Sequence, residues 1–151
     1  MKLSLRGEYA LRALIELGEA KPGEIVPIHI ISEQQQIPKR FLEQILNDLR
    51  SGGFVESKRG IAGGYQLARS PEDIGLAQVI WYIEGTLTPS AASKKKTKLK
   101  GGAIEAQQAI LEVMKDVCNA IVNVLNQVTL ADLCERTHQL RQVSDFPEYM
   151  I

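Results

Sequence analysis

A chain of 151 residues with a formal net charge of zero at pH 7 has room for one compact domain and an additional helical element. No apolar run approaches the ~20 residues that span a bilayer, and the N-terminal charges are too closely spaced for a signal peptide, so we expect a cytoplasmic protein without membrane contact. The two cysteines, Cys118 and Cys134, are too few and too far apart for a disulfide framework or a CxxC site.

Two helices are predicted before residue 36. Apolar residues recur at helical spacing from Leu5 to Glu19, and the proline and glycine of KPGE, residues 21–24, end this first helix. A shorter helix is expected near Ile28 to Gln35. A third helix follows directly, so the second and third helices are joined by a short turn.

The third helix has the clearest amphipathic pattern of the chain. Pro38 is expected in its first turn, and Gly52 with Gly53 ends it. One side forms an apolar stripe with the spacing i, i+3, i+4, i+7, made of Leu42, Ile45, Leu46 and Leu49. The other side presents long hydrogen-bonding side chains and one aromatic ring, namely Lys39, Arg40, Phe41, Glu43, Gln44 and Asn47.

Two short strands are predicted after this helix, FVESK at 54–58 and YQLAR at 65–69. They alternate apolar and polar residues, and RGIAGG joins them. We expect Gly63 and Gly64 to supply positive φ angles for a β-hairpin turn. The hairpin would have a basic tip containing Lys58, Arg59 and Gly60.

The remaining sequence predicts a helix near residues 76–83, closed by Gly85, and a flexible Lys-rich loop over 86–102. A long helix is expected over 103–127, and Thr129 with Asp132 indicates a capping box at the start of a last short helix. We therefore divide the chain into residues 1–85, the loop 86–102, and residues 103–151. The long helix has a seam with alternating spacings of four and three, formed by Ile110, Met114, Val117, Ile121, Val124 and Val128.

The glycine-rich stretch KRGIAGGYQLAR, residues 58–69, raises the question of phosphate binding. A nucleotide loop follows a buried strand and opens a helix, whereas these glycines lie between two hairpin strands. The element order instead predicts a winged helix-turn-helix: a mainly α fold with a small hairpin wing. Zero net charge does not indicate a nucleic-acid binder, but residues 1–70 carry 10 Lys/Arg against 8 Asp/Glu, and residues 101–151 carry 3 against 7.

In such a fold the third helix enters the major groove of double-stranded DNA, and its outer face reads base edges. Gln44 can pair with adenine, Glu43 can accept a hydrogen bond from cytosine, and Arg40 can reach guanine or phosphate. The wing tip would reach a minor groove or phosphates. The predicted DNA-binding residues are Lys39, Arg40, Phe41, Glu43, Gln44, Lys58, Arg59, Gly60, Gly63, Gly64 and Tyr65. A merely solvated helix and an ordinary glycine hairpin are the competing interpretation.

Four segments carry a family resemblance: MKLSLRGEYALRAL, IPKRFLEQILNDLRSGGFVESKRGIAGGYQLAR, VIWYIEG and VTLADL. They resemble the bacterial winged-helix transcription regulators that include the iron–sulfur cluster regulator IscR and the cysteine-metabolism repressor CymR. The resemblance implies a homodimer that packs its long helices together, binds palindromic operators and has no enzymatic activity. It further implies that the outer face of the third helix lies in the groove and that Arg59 lies at the wing tip.

Many members of this family hold an iron–sulfur cluster through three cysteines in the loop after the fourth helix. Residues 86–102 contain no cysteine, so we expect no such cluster, no metal site and no other cofactor, and place the chain nearest the cluster-free CymR-like branch. Cys118 is expected to be a small core or interface residue, and Cys134 an exposed thiol open to oxidation. Ordinary surface or capping roles are expected for Glu8 and His29.

The C-terminal DFPEYMI, residues 145–151, resembles the Ile-terminated end of the cysteine-metabolism repressors. The resemblance implies that Tyr149, Met150 and Ile151 enter the active-site cleft of cysteine synthase, where backbone N–H groups capture the terminal carboxylate. A frayed terminus is the alternative. We therefore expect a repressor of sulfur or cysteine metabolism. The alternatives are an iron- or redox-responsive regulator of the same family, with an atypical cluster or a thiol switch, and a protein-interaction module that binds no DNA.

Overall fold

Within residues 2–85 and 98–144, which this computed structural model describes, the chain forms six α-helices and one antiparallel pair of strands. The predicted mainly α fold with a hairpin wing is confirmed. No helix in this part of the chain combines the length and the apolar character that a bilayer crossing requires. In chain order the elements are α1 (Leu5–Glu19), α2 (Ile28–Gln35), α3 (Lys39–Ser51), β1 (Val55–Lys58), β2 (Gly64–Leu67), α4 (Leu76–Glu84), α5 (Gly102–Asn126) and α6 (Leu130–Ser144).

The main core lies between α1 and α3, because both helices have one continuous apolar side. The predicted stripe of α3 is buried, as are Ala10, Ala13, Leu14 and Leu17 of α1. Each large aliphatic side chain removed from water in this way stabilises the fold by about 1.5–3 kcal/mol. The packing leaves the polar side of α3 outside the core. Further members of the core are Val26, Ile31, Ile37, Phe54, Val55, Ile74, Val79 and Leu130.

The last helix extends this core and is longer than the short helix predicted from the sequence. Thr129 and Asp132 form the expected capping box, with a hydrogen bond of 2.9 Å from the Thr129 N–H to the Asp132 carboxylate. From that start α6 continues for 15 residues along α1. Gly18 permits the close approach, because a Cβ there would lie 2.7 Å from the Cys134 sulfur. Arg141 closes the contact by donating to Glu19 across 2.8 Å.

The helix α5 contacts the rest of the chain at its C-terminal end. Leu125 is its one buried residue, and it packs with Ala77 and Ile80 of α4. Ile121 is half-buried against the same cluster. The preceding turns of α5 are exposed, although they carry many apolar side chains.

Several local predictions from the sequence need correction. Pro38 is the N-cap of α3 and does not lie within its first turn. Each strand has four residues where five were predicted. The strand β1 starts one residue later, at Val55, because the Phe54 N–H donates to the Leu49 carbonyl at 3.0 Å, and β2 starts one residue earlier than predicted and ends two earlier. Gly63 and Gly64 do not have positive φ angles; in the hairpin that conformation belongs to Gly60, with φ of 112°.

Candidate nucleic-acid interface

The outer face of α3 is fully available for contact. The core stripe holds the helix in place from one side, so the side chains at the other positions extend into solvent. The Arg40 guanidinium lies 4.7 Å from the centroid of the Phe41 ring, which restricts the arginine without neutralising it. The exposed positions on this face include all five predicted α3 contact residues, Lys39, Arg40, Phe41, Glu43 and Gln44, together with Asn47.

Phe41 lies at the edge of this face nearest to α1. It lines a pocket of about 230 Å³ between α1 and α3. Its ring is therefore placed at the boundary between the polar face of α3 and the body of the protein. The other residues that line the pocket are Leu5, Arg6, Tyr9, Gln44 and Ile45.

The turn between α2 and α3 is tight and fixed by hydrogen bonds. Gln36 adopts a left-handed conformation, with φ of 51°, and ends α2. The N–H of Ile37 donates to the Ser32 carbonyl at 3.1 Å, and the Ser32 hydroxyl donates to the Ile37 carbonyl at 2.7 Å. Because Ile37 is also buried, the turn sets the angle at which α3 leaves α2. The roles of Gln36 and Ser32 in this turn were not identified from the sequence.

Arg50 connects α3 to the hairpin wing, and it was not identified from the sequence. Its guanidinium donates to the Asn47 side chain at 2.7 Å and to the Ser57 hydroxyl on β1 at 3.3 Å. The contact ties the end of α3 to the hairpin, so the two predicted DNA-contacting elements are held together. The spacing of Asn47 and Arg50 indicated a helical pair, but nothing in the sequence indicated Ser57.

The hairpin is attached to the body on its β2 side. Tyr65 and Val26 exchange two backbone hydrogen bonds, each 2.9 Å long, so the segment before α2 pairs with β2. A Cβ on Gly64 would collide with the Val26 carbonyl, and a Cβ on Gly63 with the Lys58 carbonyl. The two glycines are thus required for close backbone packing. Gly63, Gly64 and Tyr65 are half-buried at the base of the wing.

The tip of the wing extends into solvent. The strands pair in register from Val55 with Leu67 to Lys58 with Gly64, and the Gly63 N–H donates to the Gly60 carbonyl at 3.0 Å. This bond closes the turn that joins them. Lys58, Arg59 and Gly60 are exposed, as predicted, and so is Ile61. The structure therefore separates the predicted wing residues into an exposed basic tip and a half-buried base.

The predicted seam on α5 is largely exposed in one copy of the chain. Ile110 exposes 63% of its surface and Val117 exposes 45%, and Met114 and Val124 are also open. Ile121 differs, because it is half-buried against the cluster that Leu125 forms with Ala77 and Ile80 of the same chain. Apolar residues beyond the seam, Ile104, Leu111 and Val113, are exposed as well. The apolar surface of α5 is therefore wider than the sequence pattern indicated.

The two thiols lie on different helices, Cys118 on α5 and Cys134 on α6, and both are half-buried. The expectation of an exposed Cys134 is wrong, since its sulfur packs against Gly18 and lies 3.8 Å from the Ile15 carbonyl. Desolvation, with a further contribution from Glu19, raises the pKa of the Cys134 thiol to about 11.

Glu8 and His29 are exposed, and Glu8 lies 3.8 Å from Arg12. Residues 2–85 and 98–144 contain no group of three or more His, Cys, Asp or Glu residues arranged to hold a metal.

The raised pKa predicts slow alkylation of Cys134 in a Cys118→Ser variant. At pH 8 roughly one thiol in a thousand is ionised, and the rate should rise about tenfold per pH unit toward pH 11. The protonated thiol contributes to the free energy of unfolding. This contribution is fully present below the pKa that Cys134 has in the unfolded chain, and it is lost as the pH rises to about 11. Iodoacetamide labelling followed by mass spectrometry measures the rate, with the urea-unfolded chain as control. A plateau at pH 8–9 in the folded protein would contradict this environment for the thiol.

The tight turn between α2 and α3, the exposed outer face of α3 and the hairpin held beside it define a winged helix-turn-helix of the DNA-binding regulator class. The chain matches the Rrf2 family, with the description "Iron-dependent Transcriptional regulator", over residues 3–136. It is 30% identical over 146 residues to the HTH-type transcriptional regulator IscR of Vibrio campbellii, covering 96% of this chain and 83% of that protein.

Solved structures agree with this match. CymR, the global cysteine regulator of B. subtilis, superposes with a TM-score of 0.75 at 28% identity, covering 90% of this chain and 98% of that one. IscR of T. potens superposes with a TM-score of 0.70 at 30% identity, covering 99% and 96%. The chain belongs to the Rrf2 family of transcriptional regulators, which bind DNA and are not enzymes.

The family description mentions iron, but this chain does not contain enough cysteines for the expected cluster. A cluster bound by three cysteines needs three thiolates, and the sequence contains two cysteines in all. One of them, Cys134, lies in the contact between α1 and α6, where desolvation raises the pKa of its thiol to about 11. The residues present therefore do not fit a three-cysteine cluster.

Proposed function

We propose that this regulator binds an operator in the cytoplasm as a homodimer, with α3 of each copy in a major groove and each wing tip on the adjacent backbone or minor groove. The observation that carries the proposal is the outer face of α3, which is wholly exposed beside an exposed basic wing tip. The link from Arg50 to Ser57 supports a joint docking of the two elements. Base contacts come from α3, with Gln44 and Glu43 as the readers of base edges.

The seam on α5 supports the homodimer. An exposed row of Ile, Met and Val on a helix that contacts its own domain at one end is the kind of surface that a second copy covers. A C2 dimer places two α3 helices on successive half-sites of a palindromic sequence. The division of the chain into a DNA-binding part up to residue 85 and a dimerisation part after residue 102 belongs to this proposal.

The direct experiment is an electrophoretic shift with the promoter of the regulator's own gene and a shuffled duplex of equal length. We expect a discrete complex with the promoter that is lost steeply as salt rises, because phosphate contacts release counterions. Equal binding to both duplexes at low salt, with none at physiological salt, would overturn operator recognition. Failure to bind either duplex would favour the protein-interaction module.

The signal that the regulator receives is proposed from its C-terminal residues, which lie outside the described part of the chain. The segment DFPEYMI and the structural similarity to CymR support repression of sulfur or cysteine genes through binding to cysteine synthase. A pull-down with cysteine synthase, comparing the intact chain with one that lacks Ile151, tests this role. Recovery of the enzyme with the intact chain alone supports it, whereas equal recovery with both chains, or none, would remove it.

An iron-responsive regulator is the second candidate, favoured by the family description alone. Anaerobic purification separates the two candidates. Stoichiometric iron and a coloured protein would establish an atypical cluster, and a colourless protein without iron that binds its promoter would support the cluster-free regulator.

A further inference from the structure

The wing tip is apolar at the point that extends furthest. Ile61 and Ala62 occupy the two central positions of the turn closed by Gly60 and Gly63, positions where polar residues and glycine are common. The relative exposure of Ile61 is 111%, so its side chain has no contact within the described part of the chain. The fold therefore gains nothing from this sec-butyl group, which remains in water in the isolated protein.

The surroundings of Ile61 indicate which surface it meets. Lys58, at the end of β1, and Arg59, which follows it, are both exposed just before this turn, so the tip carries two positive charges immediately behind an apolar end. A minor groove matches this pattern, because it has a negative potential, a width of about 6 Å and walls built from the apolar faces of deoxyribose. Apolar side chains on minor-groove proteins press against sugars and base edges in this way.

We propose that Ile61 enters the operator's minor groove ahead of Arg59 and contributes an apolar contact, with deoxyribose walls as its ligand. The inference rests on the proposed function and deepens it, since it assigns the wing a contact that does not depend on charge. Arg59 supplies attraction that salt screens, and Ile61 supplies burial that salt does not weaken. Arg59 thus contributes to operator affinity through electrostatic attraction, and Ile61 through the burial of apolar surface.

The test compares operator affinity and its salt dependence for the parent, Ile61→Ala and Ile61→Val by fluorescence anisotropy. Removing the larger part of the buried side chain should weaken operator binding about tenfold in Ile61→Ala and about two- to threefold in Ile61→Val. The slope of log affinity against log salt should be unchanged, because no ion contact is lost. Since Ile61 touches nothing in the folded chain, the variants should fold like the parent.

Leu140→Ala is the matched control, because Leu140 is an exposed aliphatic residue on α6, away from the wing. It should bind operator like the parent. If the parent binds its operator and Ile61→Ala binds equally well, the apolar contact is overturned while the DNA-binding function stands. If Ile61→Ala changes the salt slope, the residue acts by positioning Arg59, and the proposed contact is also overturned. If the parent itself shows no operator binding, it is the proposed function that fails.

Discussion

Val117→Glu is expected to convert a dimer into monomers. Val117 lies in the middle of the exposed α5 seam, and a dimer would bring two new carboxylates together in an apolar contact. Burying like charges without partners costs several kcal/mol. A monomer engages one half-site, so operator affinity should fall on the order of 10²–10⁴-fold. Sedimentation equilibrium measures the mass, and anisotropy with operator DNA measures the affinity.

Asn119→Glu is the matched control for this change. Asn119 is exposed two residues further along α5, which places it on the side opposite the seam. The variant adds the same charge and should remain a dimer with parental affinity. A dimeric Val117→Glu protein would show that the seam is not the subunit contact, and monomers with undiminished operator binding would show that dimerisation is not needed for binding.

The elements that the sequence predicted well are those whose pattern depends on local spacing. The spacing of the apolar stripe on α3 was enough to predict that this side faces the core, without knowing which other elements form the core. The same reasoning predicted the helices α1 and α5. Spacing alone could not show that Ile121 packs against the Ala77, Ile80 and Leu125 cluster of its own chain, because an apolar residue suits a dimer seam and a core equally well.

The details that the sequence did not show depend on which backbone lies next to a residue. A glycine is used either for a positive φ angle or for the absence of a Cβ. Gly64 serves the second purpose only because Val26 pairs with β2, and residues 26 and 64 are far apart in sequence. Gln36 takes a left-handed conformation that glycine or asparagine usually supplies. Its neighbours Ser32 and Ile37 stabilise it, and neither carries a sequence signal for that role.

The length of α6 was underestimated for a related reason. Its residues show little amphipathic pattern, so the capping box was the one available signal. The helix continues because Leu130 is buried in the core, Cys134 packs on Gly18 and Arg141 reaches Glu19. These contacts are small and specific to the α1 surface. They also account for the half-buried position of Cys134, which we expected from the sequence to be exposed.

Arg59→Ala, which removes an arginine from both copies of the dimer, is expected to weaken operator binding about thirtyfold or more. Arg59 is exposed at the wing tip, and an arginine held at phosphates or in a minor groove contributes about 1–3 kcal/mol to affinity. Because each of the two copies on the operator loses one phosphate-directed cation, the salt slope should fall by about two. Anisotropy titrations of operator DNA at four salt concentrations give both quantities.

Arg136→Ala provides the matched control for Arg59, since it removes the same charge from an exposed position on α6. It should leave both the affinity and the salt slope at parental values. Equal losses in the two variants would mean that the overall charge of the protein, and not the wing, determines affinity. Parental binding by Arg59→Ala would remove the wing from the interface. A loss in Arg59→Ala alone, with the lower slope, supports a hairpin tip that lies against the duplex, because the change in net charge is the same in both variants.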